Sequence, residues 1–211
     1  VYGALGPSGI FTEDSPLQPN NPYAATKAGA DMLVRAAGNS HGINAVISRC
    51  SNNFGPYQFP EKLIPLMIAN AMEGKELPVY GDGLHVRDWI YVLDHCSGVD
   101  LILRKAEAGS IYNISSAHDV PNIEVVKGIL KILGKDESLI KYVEDRPGHD
   151  RRYALDASKL RNDLGWKPSH SFENALKSTV EWYVTNREWW ERIRSGEYME
   201  YYSRMYGNRG E

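Results

Sequence analysis

Apolar positions along the chain switch between a helical period and short β-branched runs. Asn21-Pro22 opens a stretch to about Ser40 rich in small residues, Ala24, Ala25, Ala28, Gly29 and Ala30. An Asn cap followed by Pro at the first helical position, where a missing N–H costs nothing, predicts a helix there. After His41-Gly42, residues 43–48 are short, apolar and β-branched, which predicts a buried parallel strand. Residues 61–73 place Leu63, Ile64, Leu66, Met67 and Ile68 at helical spacing, with Pro65 in the first turn. Residues 77–80 and 86–92 read as strands around a Gly81-Asp82-Gly83 turn. A helix over 94–105, a strand over 110–114, a helix over 121–133 ended by Gly134 and a strand over 140–143 follow. Residues 158–164 form a short helix closed by Gly165, and Ser171 caps a last long helix running to about Arg194. Helices that alternate with strands in this way predict an α/β fold.

Between these elements lie segments with chemistry. Residues 4–20 are rich in Gly, Pro, Ser and acids and read as an irregular loop, Glu13 and Asp14 lying in a surface-like acidic part of it. Arg49 to Pro56, just past the first strand, contains Asn52-Asn53 before Gly55-Pro56. In an open parallel sheet ligands bind beyond the carboxyl ends of strands, so this segment is either turn chemistry or a ligand contact. Asp145 to Arg152 concentrates cations and is either a solvated loop or an anion site. Residues 195–211 lack apolar periodicity and read as a tail.

Composition narrows the classes. With 211 residues, 42% hydrophobic and 24% charged, the chain has the means to bury a core. Lys+Arg 24 against Asp+Glu 27 gives a net charge of -3, so no basic field points to nucleic acid or an anionic membrane, and any anion site is local. Two cysteines, Cys50 and Cys96, are too few for a disulfide framework. No apolar run approaches the ~18 residues of a spanning helix, and no signal-peptide layout stands near the start. A soluble cytoplasmic protein is the expectation, with no metal site.

Tyr23 and Lys27 are one helical turn apart on one face. A phenol with a reference pKa of roughly 10 needs help to act as a base, and an adjacent ammonium favours the phenolate. A Tyr-x-x-x-Lys helix entered through Asn-Pro and preceded by Val1-Tyr2-Gly3 resembles the extended short-chain dehydrogenase/reductase superfamily, whose members bind NAD and act largely on nucleotide sugars. More narrowly, residues 21–27, 48–66 (including Phe59-Pro60-Glu61-Lys62-Leu63), 81–92 and 145–153 (Asp-Arg-Pro-Gly-His-Asp-Arg-Arg-Tyr) resemble the dTDP-glucose 4,6-dehydratase family, almost end to end.

That resemblance implies the carboxy-terminal part of a Rossmann-type parallel sheet (1–60, bearing the Tyr-Lys helix), a smaller mixed α/β substrate-binding domain (mainly 61–194, with some segments returning to the Rossmann part) and the 195–211 tail. It implies NAD held by Tyr23, Lys27 and Asn53. Asn52, Lys62, Leu63, Pro78, Val79, Tyr80, Arg87, Asn113, Asp145, Arg146, Pro147, Gly148 and His149 would hold the nucleotide diphosphate sugar. In the implied mechanism Tyr23 removes the proton of the sugar 4-hydroxyl as hydride leaves carbon 4 for NAD. Water is then eliminated across carbons 5 and 6, and the hydride returns to carbon 6. Family members place the elimination pair, Asp-Glu after Thr, immediately before Val-Tyr-Gly, whereas this sequence opens at Val1 and has no Gly-x-Gly-x-x-Gly fingerprint. The expectation is therefore a fragment without dehydratase turnover. A homodimer joined through a helix bundle that includes the Tyr23 helix is also implied for the parent. The alternatives are a sugar-nucleotide epimerase or decarboxylase of the same superfamily, or a non-catalytic nucleotide-binding remnant.

Overall fold

Helix α1 (Pro22–His41) starts where the Asn21 side chain accepts a 2.8 Å hydrogen bond from the Ala24 amide, and it ends at Gly42, whose φ of 65° suits glycine. The computed structural model describes residues 1–6, 8–145 and 150–196. Along the chain follow β1 (Ile47–Cys50), β2 (Asn52–Phe54), α2 (Leu63–Met72), β3 (Leu77–Tyr80), β4 (Val86–Tyr91), α3 (Val92–Lys105), β5 (Ile111–Ile114), β6 (Asp119–Pro121) and α4 (Asn122–Leu133). A 3-10 turn (Glu137–Leu139) then leads to β7 (Ile140–Val143), β8 (Arg152–Tyr153), α5 (Ser158–Leu164), α6 (Phe172–Thr185) and α7 (Arg187–Arg194). This is an α/β fold. Among the described residues no helix is long and apolar enough to cross a membrane.

Strand pairing is mostly parallel. β1 pairs with β5, β2 with β4, and β3 with β7, all parallel; β4 also takes β6 antiparallel and β8 parallel. Segments from either side of residue 60 therefore share sheets. β4 alternates its side chains between two cores, as the period of two requires. Trp89 and Tyr91 join Ile64, Ile68, Val126, Ile129, Leu176 and Trp190 in a core built by α2, α4, α6 and α7. Ile90 joins Ile102, Tyr112, Ile114, Leu160 and Trp166 in a second core. Trp166, just past α5, is buried in this second core, its indole N–H donating to Ser97 Oγ at 3.0 Å.

The short strands β6 and β8 are absent from the sequence reading, α3 begins two residues earlier than read, and three further elements differ. The first strand begins at Ile47 rather than residue 43, because its register with β5 starts at Ile47 opposite Ile111 and Ile43 is left exposed. Asn52 and Asn53 lie in a strand, not a turn: after the Ser51 amide bonds to Ile114, the chain leaves β5 and continues beside Trp89 and Ile90 of β4. The last long helix is two helices. Asn186 donates from both its backbone N and its Nδ2 to the Trp182 carbonyl, at 2.8 and 2.9 Å, and the Trp190 indole donates to the Tyr183 carbonyl at 2.9 Å. Those bonds satisfy the carbonyls that a break exposes, and the turn sends Trp190 into the core, where it is fully buried.

Candidate functional site

The step from β1 to β2 brings Asn52 and Asn53 to one wall of a cavity of about 350 Å³. Opposite walls come from the start of α2, from β3 and from β4. Of the residues singled out in the sequence, Asn52, Asn53, Lys62, Leu63, Pro78, Val79, Tyr80 and Arg87 all line it. Lys62 is the N-cap of α2, at the positive end of that helix, and makes no side-chain capping bond there. Alternation along β3 buries Val79 and leaves Tyr80 40% exposed. Arg87 on β4 donates from one guanidinium nitrogen to the Val86 carbonyl at 2.8 Å, which fixes the plane of the fork.

The lining is polar in a particular way. Asn53 Oδ1, Gln58 Oε1, Trp89 Nε1 and Asn122 Oδ1 are buried side-chain atoms with no hydrogen-bond partner among the described residues, and all four residues line this cavity. A buried polar atom without a partner costs about 1–3 kcal/mol, and four of them sit on residues that line one hollow. Gln58 and Asn53 are already tied together, the Gln58 amide nitrogen donating to the Asn53 carbonyl at 2.8 Å.

Asn113 belongs elsewhere. It is completely buried on β5; it accepts from the Tyr2 hydroxyl at 2.7 Å, and its Nδ2 donates to the Phe11 carbonyl at 3.3 Å. Both ends of its amide are thus occupied, and it does not line the cavity. Asn122, at the first position of α4, supplies the amide instead. The sequence signal for Asn122 was weak, an Asn after Pro at a helix start; Gln58 sat in a polar loop, and Trp89 read only as a strand aromatic. Glu13, expected at the surface, is half-buried and accepts the Asn113 backbone N–H at 2.7 Å. Asp145 pairs with His85 Nε2 at 3.0 Å and does not line the cavity. Arg146, Pro147, Gly148 and His149 lie outside the described residues. The neighbouring cations are committed to ion pairs: Arg151 grips Asp82 through two bonds of 2.7 and 2.8 Å, holding that carboxyl well below the usual carboxylate range, and Arg152 pairs with Asp119.

Tyr23 and Lys27 do not line this cavity either. They stand on the first turns of α1, with Tyr23 72% exposed and the Lys27 ammonium 5.6 Å from its ring centroid. α1 buries only Ala28 among its residues and is held to β1 by an ion pair between Asp31 and Arg49 at 2.7 Å. Arg49 also donates to the Tyr2 hydroxyl at 2.7 Å, and that hydroxyl donates onward to Asn113. Burial works against the Arg49 charge, but the bonds to Tyr2 and Asp31 outweigh it and raise its pKa. A chain of buried polar contacts thus runs from the Tyr-Lys helix to β5.

A family model described as GDP-mannose 4,6 dehydratase matches residues 1–179. The chain belongs to that family. A dTDP-glucose 4,6-dehydratase from Xanthomonas campestris pv. campestris is 51% identical over 207 residues, covering 94% of this chain and 59% of the relative. Among solved structures, a dTDP-glucose 4,6-dehydratase from Bacillus anthracis in complex with NAD is similar at a TM-score of 0.88 and 52% identity, over 92% of this chain and 61% of that one. Another dTDP-glucose 4,6-dehydratase, from Streptomyces venezuelae with NAD bound, gives a TM-score of 0.89 at 49% identity over 92% of this chain and 60% of that one. The chain spans about 59% of the length of the curated relative it matches. As in those structures, the fold of this GDP-mannose 4,6 dehydratase family member is Rossmann-type α/β.

Proposed function

We propose that this chain supplies the nucleotide-sugar pocket and the Tyr-Lys helix of an NAD-dependent dTDP-glucose 4,6-dehydratase, a lyase that turns dTDP-glucose into dTDP-4-keto-6-deoxyglucose and water. The observation that carries it is the convergence of Lys62, Arg87, Tyr80 and Asn52 on one cavity whose lining residues include three buried amide oxygens without a hydrogen-bond partner among the described residues. Lys62 and Arg87 suit a diphosphate, the first as a point charge at a helix N-terminus and the second as a planar fork. Pro78, Val79 and Tyr80 offer an apolar and aromatic surface to a nucleobase. The acceptor oxygens of Gln58 and Asn122 suit hydroxyl and N–H donors of the nucleoside and sugar.

Tyr23 takes the proton of the sugar 4-hydroxyl, with the Lys27 cation facing its ring. NAD, when bound, supplies reversible hydride acceptance. Asn53, with a buried carbonyl oxygen lacking a partner, fits as a contact to it, together with Tyr23 and Lys27. The acid and base of the elimination are assigned to no residue of this chain. The same reading takes the whole protein as a cytoplasmic homodimer of deoxysugar biosynthesis; the exposure of Met32, Leu33 and Val34 on α1 supports a covered helix face.

Calorimetric titration of the folded chain tests the pocket. dTDP is expected to bind more tightly than UDP, and Arg87→Leu to weaken dTDP by roughly tenfold or more. A folded chain that binds neither nucleotide overturns the assignment of Lys62 and Arg87 to a diphosphate.

A further inference from the structure

The rim of the cavity is reached by a constrained path. Gly55 has a φ of 149°, and a Cβ there would stand 2.5 Å from Val92 Cγ1, so the backbone crosses close over the start of α3. Two residues later Tyr57 holds a φ of 62°, a left-handed conformation that disfavours an L residue with a bulky side chain. Such a conformation persists only where the surroundings impose it. Here the Tyr57 ring sits 4.6 Å from the ring of Trp182 and 5.5 Å from that of Trp189, centroid to centroid. Beside it the buried Tyr183 hydroxyl donates to the Gln58 carbonyl. At the far end of the same segment, Arg194 of α7 pairs with Glu73 at 3.4 Å and donates to Asn70 at 3.0 Å. The α6–α7 pair therefore holds both ends of residues 57–73, the stretch that gives Gln58, Glu61 and Lys62 to the cavity.

We propose that Tyr57, seated on Trp182 and Trp189, is a positioning residue that sets the Gln58–Lys62 rim against the ligand cavity. The break at Asn186 has a use on this account, since it folds α7 back so that Trp182 and Trp189 meet one ring. Ligand affinity then depends on an aromatic contact that does not itself line the cavity. The affinity arm of the test rests on the nucleotide-sugar reading above; the exchange arm does not.

Three variants of the full 211-residue chain separate ring from backbone. Tyr57→Gly and Tyr57→Asn accept the left-handed φ and remove the ring, while Tyr57→Phe keeps the ring and loses only the hydroxyl. Amide hydrogen exchange over residues 57–63 is expected to quicken roughly tenfold in the Gly and Asn variants, with residues 125–130 of α4 unchanged and the Phe variant like the parent. dTDP affinity is expected to fall roughly tenfold in the same two variants and to be restored in Phe. Unchanged exchange over 57–63 overturns the proposal whether or not dTDP binds. Faster exchange across α4 as well, or failure of both ring-less variants to fold, makes Tyr57 a general stability residue and also overturns it. Faster exchange at the rim with unaltered dTDP affinity does the same, because the rim would then not govern the site. A parent chain that binds no dTDP overturns the nucleotide reading and leaves the exchange result to decide the clamp.

Discussion

Asn113 and Asn122 carry the same amide in opposite settings. The first has its oxygen and nitrogen satisfied by Tyr2 and Phe11 inside the protein, whereas the second lines the cavity and its buried oxygen has no partner among the described residues. Removing a partner from a buried hydroxyl costs about 1–3 kcal/mol. Asn113→Ala is therefore expected to lower the unfolding free energy by about 2 kcal/mol while leaving dTDP affinity intact in the chain that still folds. Asn122→Ala is expected to weaken dTDP by roughly tenfold with little change in stability. Urea denaturation and titration of both variants check the pair, and the reverse pattern would return Asn113 to the site. Asn113 lies within a strand run and Asn122 at a helix start, and neither local setting shows whether the amide is occupied. What separates them is whether a distant segment, here Tyr2 and Phe11, arrives to occupy the amide.

At the scale of elements, caps and breaks were legible where the signal is local. Asn21-Pro22 and Ser171 start helices as their residue types dictate, and Gly42, Gly134 and Gly165 end them in left-handed conformations. The clip between α3 and the approach to α6 was not legible. Asp94, buried in the first turn of α3, accepts bonds from the Ser169 amide at 3.0 Å, the Ser169 hydroxyl at 2.7 Å, the His170 amide at 3.2 Å and His170 Nδ1 at 2.9 Å. Burial alone would raise its pKa, but these bonds prevail and hold the carboxyl below its ordinary value. A depressed folded-state pKa means the unfolded chain binds the proton more readily. The clip's contribution is then full above the unfolded value of about 3.9 and is lost as pH falls through the lower, folded-state value. Asp94→Asn is expected to cost about 2 kcal/mol at pH 6 and to flatten the loss of stability between pH 5 and 3, measured by urea unfolding across that range. An unaltered pH slope in the variant would show that Asp94 is not the group responsible.

The whole molecule is joined through β4, which sends Trp89 and Tyr91 into one core and Ile90 into the other. Loss of either core removes a face of the same strand, so the described part of the chain is expected to unfold in a single transition. A ligand in the cavity touches α2, β3, β4 and α4 together. At a dTDP concentration of 100 times its dissociation constant the unfolding free energy should rise by about 2.7 kcal/mol. Denaturation followed by tryptophan fluorescence, with and without dTDP, reads both expectations. Two separated transitions would contradict the shared strand, and an unshifted midpoint at saturating ligand would contradict the coupling of cavity to fold.

The sequence by itself determined the alternation of helices and strands, the placing of Tyr23 and Lys27 on one helical face, and most of the residues that meet at the cavity. The first two follow from periodicity and capping chemistry, and the third is what the resemblance to the dehydratase family implies. Only the tertiary structure decided that residues 52–67, 78–89 and 122–126 close on one hollow, that Asn122 rather than Asn113 faces it, and that Tyr57 rests on Trp182 and Trp189. Local pattern fixes which face of an element is apolar, but which distant elements pair, and in what register, depends on the packing of the whole chain.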